Sequence, residues 1–185
     1  MRIRFSRCSV IPFVIAACMN ATIALPIDRN DERTTWQPPE QIMDVAGVRA
    51  GMRIGEAGAG EGYLTFPLAR RVGRAELEGI GNIVTVLGEV EDALFPENDL
   101  DMVIMVYVLH HLDRPVEFLR NLGAYLKPGA PIVIVEKNTE VERTYRYHFM
   151  SRGQIVETIE EAGFELDKTD DSLDRDTIYI LRIGR

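Results

Sequence analysis

Three glycines at alternate positions, Gly58, Gly60 and Gly62, separate a short strand ending at Glu56 from an apolar-periodic stretch, residues 62–72, that carries Leu64, Leu68, Ala69 and Val72. A strand that runs through a tight glycine turn into a helix is a building unit of parallel α/β sheets. Glycine lets the backbone take positive φ and lets a ligand come close, while the unpaired N–H groups of the first helical turn face whatever binds. Pro67 falls inside the helical stretch and predicts a distortion in its first turn and a half.

The spacing selects the ligand class. A dinucleotide loop needs Gly-x-Gly-x-x-Gly, but counted from Gly58 the third glycine position is Tyr63, and counted from Gly60 it is Thr65. The pattern Glu56-x-Gly58-x-Gly60-x-Gly62 instead resembles the first motif of class I S-adenosylmethionine-dependent methyltransferases. The resemblance implies that the glycine loop passes the amino-acid part of the cofactor and that Glu56 helps hold its ammonium group.

The rest of the chain alternates in the same manner. A polar lead-in, residues 25–37, precedes a short helix over residues 40–46 that stops near Gly47. Residues 82–88 are a β-branched strand, and residues 100–108 are nearly continuously apolar, as in a central strand covered on both faces. The segment Asp113-Arg-Pro115 predicts the cap of a helix carrying Val116, Leu119, Leu122 and Leu126. Residues 130–136 give another buried strand. Ser151 and Gln154 have capping-box spacing for a helix over residues 154–162, and residues 164–169 and 177–183 form a closing hairpin. These elements predict an α/β, Rossmann-like, mostly parallel doubly wound sheet with a C-terminal antiparallel hairpin. The domain spans residues 38–185.

The methyltransferase resemblance covers that same span. It places Glu89 after the third strand, where with the backbone N–H of Val90 it reads the adenine, and it places Tyr107 through His111 at the strand end beside the transferred methyl. The turn from Leu126 to Gly129 is typical of the family. One departure is large: only residues 74–81 lie between Gly73 and the next strand, too few for the family's second strand and second helix. Either strand 82–88 takes the vacant place beside the first strand and Glu89 becomes the ribose-binding acid, or the pocket stays open on its ribose side. No catalytic acid or base is assigned. His110 and His111 read as spacing and capping residues, Tyr145, Tyr147 and His148 lie in the irregular connection that would set specificity, and the histidines have no recognised metal-ligand spacing.

Charge narrows the partners. The chain carries a formal −8, and residues 1–24 hold Arg2, Arg4 and Arg7 with no acid, so the remainder stands at −11. A chain this acidic, with no basic patch, is a poor nucleic-acid binder. The positive start, the apolar run to Leu25 and the small residues before position 25 read as a signal peptide, implying an exported or periplasmic protein, or a cytoplasmic one if the signal does not work. Cys18 sits in a lipobox-like context, and an uncleaved membrane anchor is a further alternative. Cys8 and Cys18 both lie in this segment, so thiol chemistry is not expected of the mature domain. Two functions compete: methyl transfer from S-adenosylmethionine to a small-molecule acceptor, and an exported, non-catalytic methyltransferase-like binding domain.

Overall fold

The computed structural model describes residues 14–17, 32–73, 82–144 and 147–184. Seven strands form one sheet in the order β3-β1-β2-β4-β5-β7-β6. They are β1 (Val14–Ala17), β2 (Ile54–Ala57), β3 (Ile83–Val86), β4 (Met102–Val106), β5 (Ile132–Lys137), β6 (Phe164–Asp170) and β7 (Asp176–Ile183). β7 runs antiparallel to both β5 and β6, and every other pairing is parallel. The mostly parallel sheet and its closing hairpin match the sequence expectation.

Both faces of the sheet are covered, for a reason visible in β4 and β5. Alternate side chains point to opposite faces. Val103, Met105, Ile132 and Ile134 pack with Leu119, Leu122, Ile155 and Ile159 of helices α4 (Pro115–Leu122) and α5 (Arg152–Glu161). Met102, Ile104, Val133 and Val135 pack with Ile42, Met43, Leu64, Leu68 and Val72, on or beside helices α2 (Pro39–Ala46) and α3 (Thr65–Val72). Because both registers are buried, these strands read as unbroken apolar runs.

Local signals are realised with small shifts. Gly47 ends α2 at φ 76°, and the capping box of α5 is complete, with Ser151 N–H donating to Gln154 Oε1 at 2.8 Å. Pro67 causes no break: α3 begins at Thr65, which puts the proline in the first turn, where a missing N–H costs no hydrogen bond. Asp113 does not cap α4. Its N-cap position is Arg114, without a side-chain cap.

Two expectations about organisation are corrected. Residues 82–88 do not lie beside β2, nor is the vacant place empty. Val14–Ala17 takes it, pairing in parallel with Ile54–Ala57 on one side and Ile83–Val86 on the other. An internal parallel strand needs two ladder partners and a crossover, and a segment from far upstream meets both conditions without the missing helix. Residues 25–37 are also more than a lead-in. Helix α1 (Arg33–Trp36) lies there, and Gln37 is buried with its side chain bonded to Asp176.

Candidate cofactor and acceptor site

The glycine loop leaves β2 at its carboxyl end and enters α3 through a turn closed by Gly62 N–H to Ala59 O at 2.8 Å. Gly58, Gly60 and Gly62 adopt φ of 70°, 53° and 85°. The loop conformation therefore demands glycine. At Gly58 the demand is also steric, since a Cβ there would lie 2.3 Å from Val108 Cγ2, while a Cβ at Gly60 would meet only Gly58 O, at 4.0 Å.

Glu56, one residue before the end of β2, is almost fully buried, and Thr65 at the start of α3 donates its hydroxyl to Glu56 Oε2 at 2.6 Å. Burial pushes the Glu56 carboxyl up to about 7, against the Thr65 hydrogen bond and the nearby Arg33, which pull it down. Such a group is poised to ionise when a cation arrives, which is the chemistry an ammonium group requires. The glycine cradle and this carboxylate fit the amino-acid end of S-adenosylmethionine.

Tyr107 stands at the end of β4 with φ 59°, an unusual conformation for an aromatic residue and a place where local strain is held by its surroundings. Its N–H is tied to Val135 O at 2.9 Å, and its hydroxyl donates to Asp176 on β7. Asp176 is buried and also accepts from Gln37 Nε2 at 2.6 Å. Burial raises the Asp176 carboxyl, and burial together with this hydrogen bond raises the Tyr107 phenol. Around Tyr107 lies an aromatic array: Trp36 stacks at 6.5 Å, Phe149 is at 5.9 Å, and His110 is at 6.3 Å. Arg33 lies 3.8 Å from the Tyr63 ring centre, and Arg175 lies 5.2 Å from that of Trp36.

Of the residues singled out in the sequence, Glu56, the three glycines and Tyr107 thus fall on the carboxyl ends of the neighbouring strands β2 and β4. Glu89 and Val90 do not join them. Both are exposed and follow β3, which β1 separates from β2, so the offset is two strand spacings, roughly 10 Å. Glu89 does not occupy the ribose place next to the glycine loop. Tyr145 lies outside the described residues. Arg33, Gln37, Glu136 and Asp176 were missed because each gains its site role from a partner distant in sequence. A polar residue beside an apolar strand, as at Glu136 and Asp176, was the available signal.

The model of the family described as "Methyltransferase domain" matches residues 32–169. The chain belongs to this methyltransferase family. S-adenosylmethionine is the cofactor the family uses. The ubiquinone/menaquinone biosynthesis C-methyltransferase UbiE of Idiomarina loihiensis is 29% identical over 143 residues, covering 62% of this chain and 57% of that protein. UbiE of Vibrio cholerae is 26% identical, over 62% and 55% of the two chains. The chain therefore spans little more than half the length of these relatives. Among solved structures, an S-adenosylmethionine-dependent methyltransferase from Aquifex aeolicus superposes with a TM-score of 0.75 at 21% identity, covering 83% of this chain and 94% of that one. The [4+2]-cyclase SpnF superposes at 0.65 with 16% identity over 84% and 85%. Likeness at that identity speaks for the fold alone.

Proposed function

We propose that the protein transfers the methyl group of S-adenosylmethionine to a small planar acceptor. The observation that carries this reading is the juxtaposition of Glu56 and the glycine cradle on β2 with the aromatic array at the end of β4. The cofactor, when bound, supplies an electrophilic methyl on a sulfonium. Glu56 and the glycine loop would hold its amino-acid end. Trp36, Tyr107 and Phe149 offer apolar faces for a flat acceptor, and Arg33 and Arg175 favour one bearing negative charge. Rate would come chiefly from alignment, since proximity alone can supply roughly 7 kcal/mol or more. The place of the UbiE relatives in ubiquinone/menaquinone biosynthesis agrees with a planar acceptor.

A second reading, binding without turnover, draws on the exposed Glu89, which lies two strands from the glycine loop. Calorimetric titration with S-adenosylmethionine and S-adenosylhomocysteine, followed by a turnover assay with phenolic and quinol acceptors, separates the two. Absence of heat with either ligand at millimolar concentration eliminates methyl transfer, and heat without turnover leaves only the second reading.

Location is proposed from the same N-terminal segment. The charged-then-apolar pattern of residues 1–24 supports export, periplasmic residence or membrane attachment, although among the described residues no helix is long and apolar enough to cross a membrane. The pairing of Val14–Ala17 on both sides supports retention of the segment within the domain, where cytosolic cofactor is available. We favour retention, because cleavage after Ala24 would open two ladders. The mass of the mature N-terminus decides it.

A further inference from the structure

His110 and His111 lie on a single 3-10 turn, Leu109–His111, that follows β4, and His148 comes from the irregular connection between β5 and α5. One ring nitrogen from each of the three lies within 4.8 Å of the others. The ring centres are 4.0 Å apart for His110 and His111, 5.2 Å for His110 and His148, and 5.3 Å for His111 and His148. We propose that His110, His111 and His148 form a transition-metal site of the zinc type, with Glu136 as the residue that orients His110.

The pairing of His110 with Glu136 is the second and independent observation. His110 Nδ1 is 2.7 Å from Glu136 Oε2, and the two side chains are 2% and 1% exposed. The His110 backbone N–H also points to Glu136 Oε1 at 3.4 Å. A carboxylate beside Nδ1 holds the proton on that nitrogen, which leaves Nε2 with its lone pair for a metal. This is the carboxylate–histidine arrangement that accompanies metal-bound imidazole, and it fixes the ring before any ion arrives. His111 and His148 are exposed, and their side chains can rotate inward to the roughly 3.3 Å nitrogen separation that tetrahedral bonds of about 2.0–2.1 Å impose.

The donor set defines the ion. Three imidazoles select Zn2+ or its analogues Co2+ and Ni2+ over Mg2+ and Ca2+, which take oxygen ligands. The ion would clip the connection carrying His148 and Phe149 to the end of β4. Three protein ligands leave a tetrahedral position for water or for an acceptor oxygen, whose deprotonation the metal would favour. That last consequence, unlike the site itself, rests on the methyl-transfer reading.

The test uses the untagged full chain, stripped with chelator and titrated with Co2+ and then with Zn2+ in competition. One Co2+ per chain is expected, with the visible absorption of a tetrahedral nitrogen site and without the thiolate charge-transfer band that Cys8 or Cys18 would add. H111A and H148A are each expected to lose at least 10-fold in affinity, and E136Q, which keeps the shape of Glu136, to lose about 10- to 100-fold. No Co2+ uptake up to about 1 mM, or uptake unchanged in the H111A/H148A double variant, overturns the proposal. Titration with S-adenosylmethionine in the same samples keeps the two readings apart. Metal uptake without cofactor binding upholds the site and removes the methyl-transfer reading, and cofactor binding without metal uptake does the reverse.

Discussion

Thr65 Oγ1 donates to the buried Glu56 Oε2 at 2.6 Å, linking the end of β2 to the first residue of α3 across the glycine loop. Glu56 is pushed up to about 7 from 4.5, chiefly by burial. Its folded-state value thus lies above its unfolded one, so the stability it contributes is fully present below about pH 4.5 and is lost as pH rises through about 7. The loss amounts to roughly 3 kcal/mol. Urea unfolding of the ligand-free protein between pH 5 and 8 is expected to show this decline, and Glu56→Gln to flatten it. Binding of an ammonium group reverses the preference. Affinity for S-adenosylmethionine should therefore increase from pH 6 to 8 with proton release, measurable by calorimetry in buffers of different ionisation heat.

Gly58→Ala places a Cβ against Val108 at a positive φ. The expected cost is about 2–4 kcal/mol, combining overpacking with the left-handed backbone. Adding Val108→Ala should recover the steric share and leave about 1–2 kcal/mol. Strict additivity of the two substitutions in chemical unfolding would contradict the contact.

Tyr107→Phe removes one of two side-chain donors to the buried Asp176, leaving Gln37. The charge-assisted bond is worth about 1.5–3 kcal/mol. Burial already raises Asp176, so the variant raises it further. The deficit is expected to be larger at pH 8, where Asp176 must ionise, than at low pH, where it keeps its proton. A pH-independent deficit would mean that the ring, not the hydroxyl, carries the effect.

A chain lacking residues 1–24 loses β1 and with it both ladders to β2 and β3. Its melting temperature is expected to fall by about 10 °C or more, corresponding to several kcal/mol for a domain of this size. An unchanged melting temperature would show that these residues are dispensable and would favour the cleaved-signal alternative.

What periodicity can report is the local state of the backbone. The alternate glycines, the box at Ser151 and Gln154, and the apolar runs of β4 and β5 each state a conformation within a few residues, and each is realised. Resemblance to the methyltransferase family then supplied the cofactor and the strand ends expected to meet it. The alternative ribose role for Glu89 fails because it depends on which strand neighbours β2, and that is decided by pairing between distant segments.

Sequence alone therefore determined the α/β class, the glycine loop with Glu56 at its head, and the family of the cofactor. The tertiary structure decided that Val14–Ala17 fills the gap in the sheet. It also decided that Gln37 and Tyr107 share Asp176, that His148 reaches His110 and His111, and that Glu136 pairs with His110. The physical reason is the same in each case. Burying a carboxylate requires donors, and an internal strand requires a partner on each side, but which residues meet those demands is set by how the chain returns on itself rather than by any neighbour in sequence.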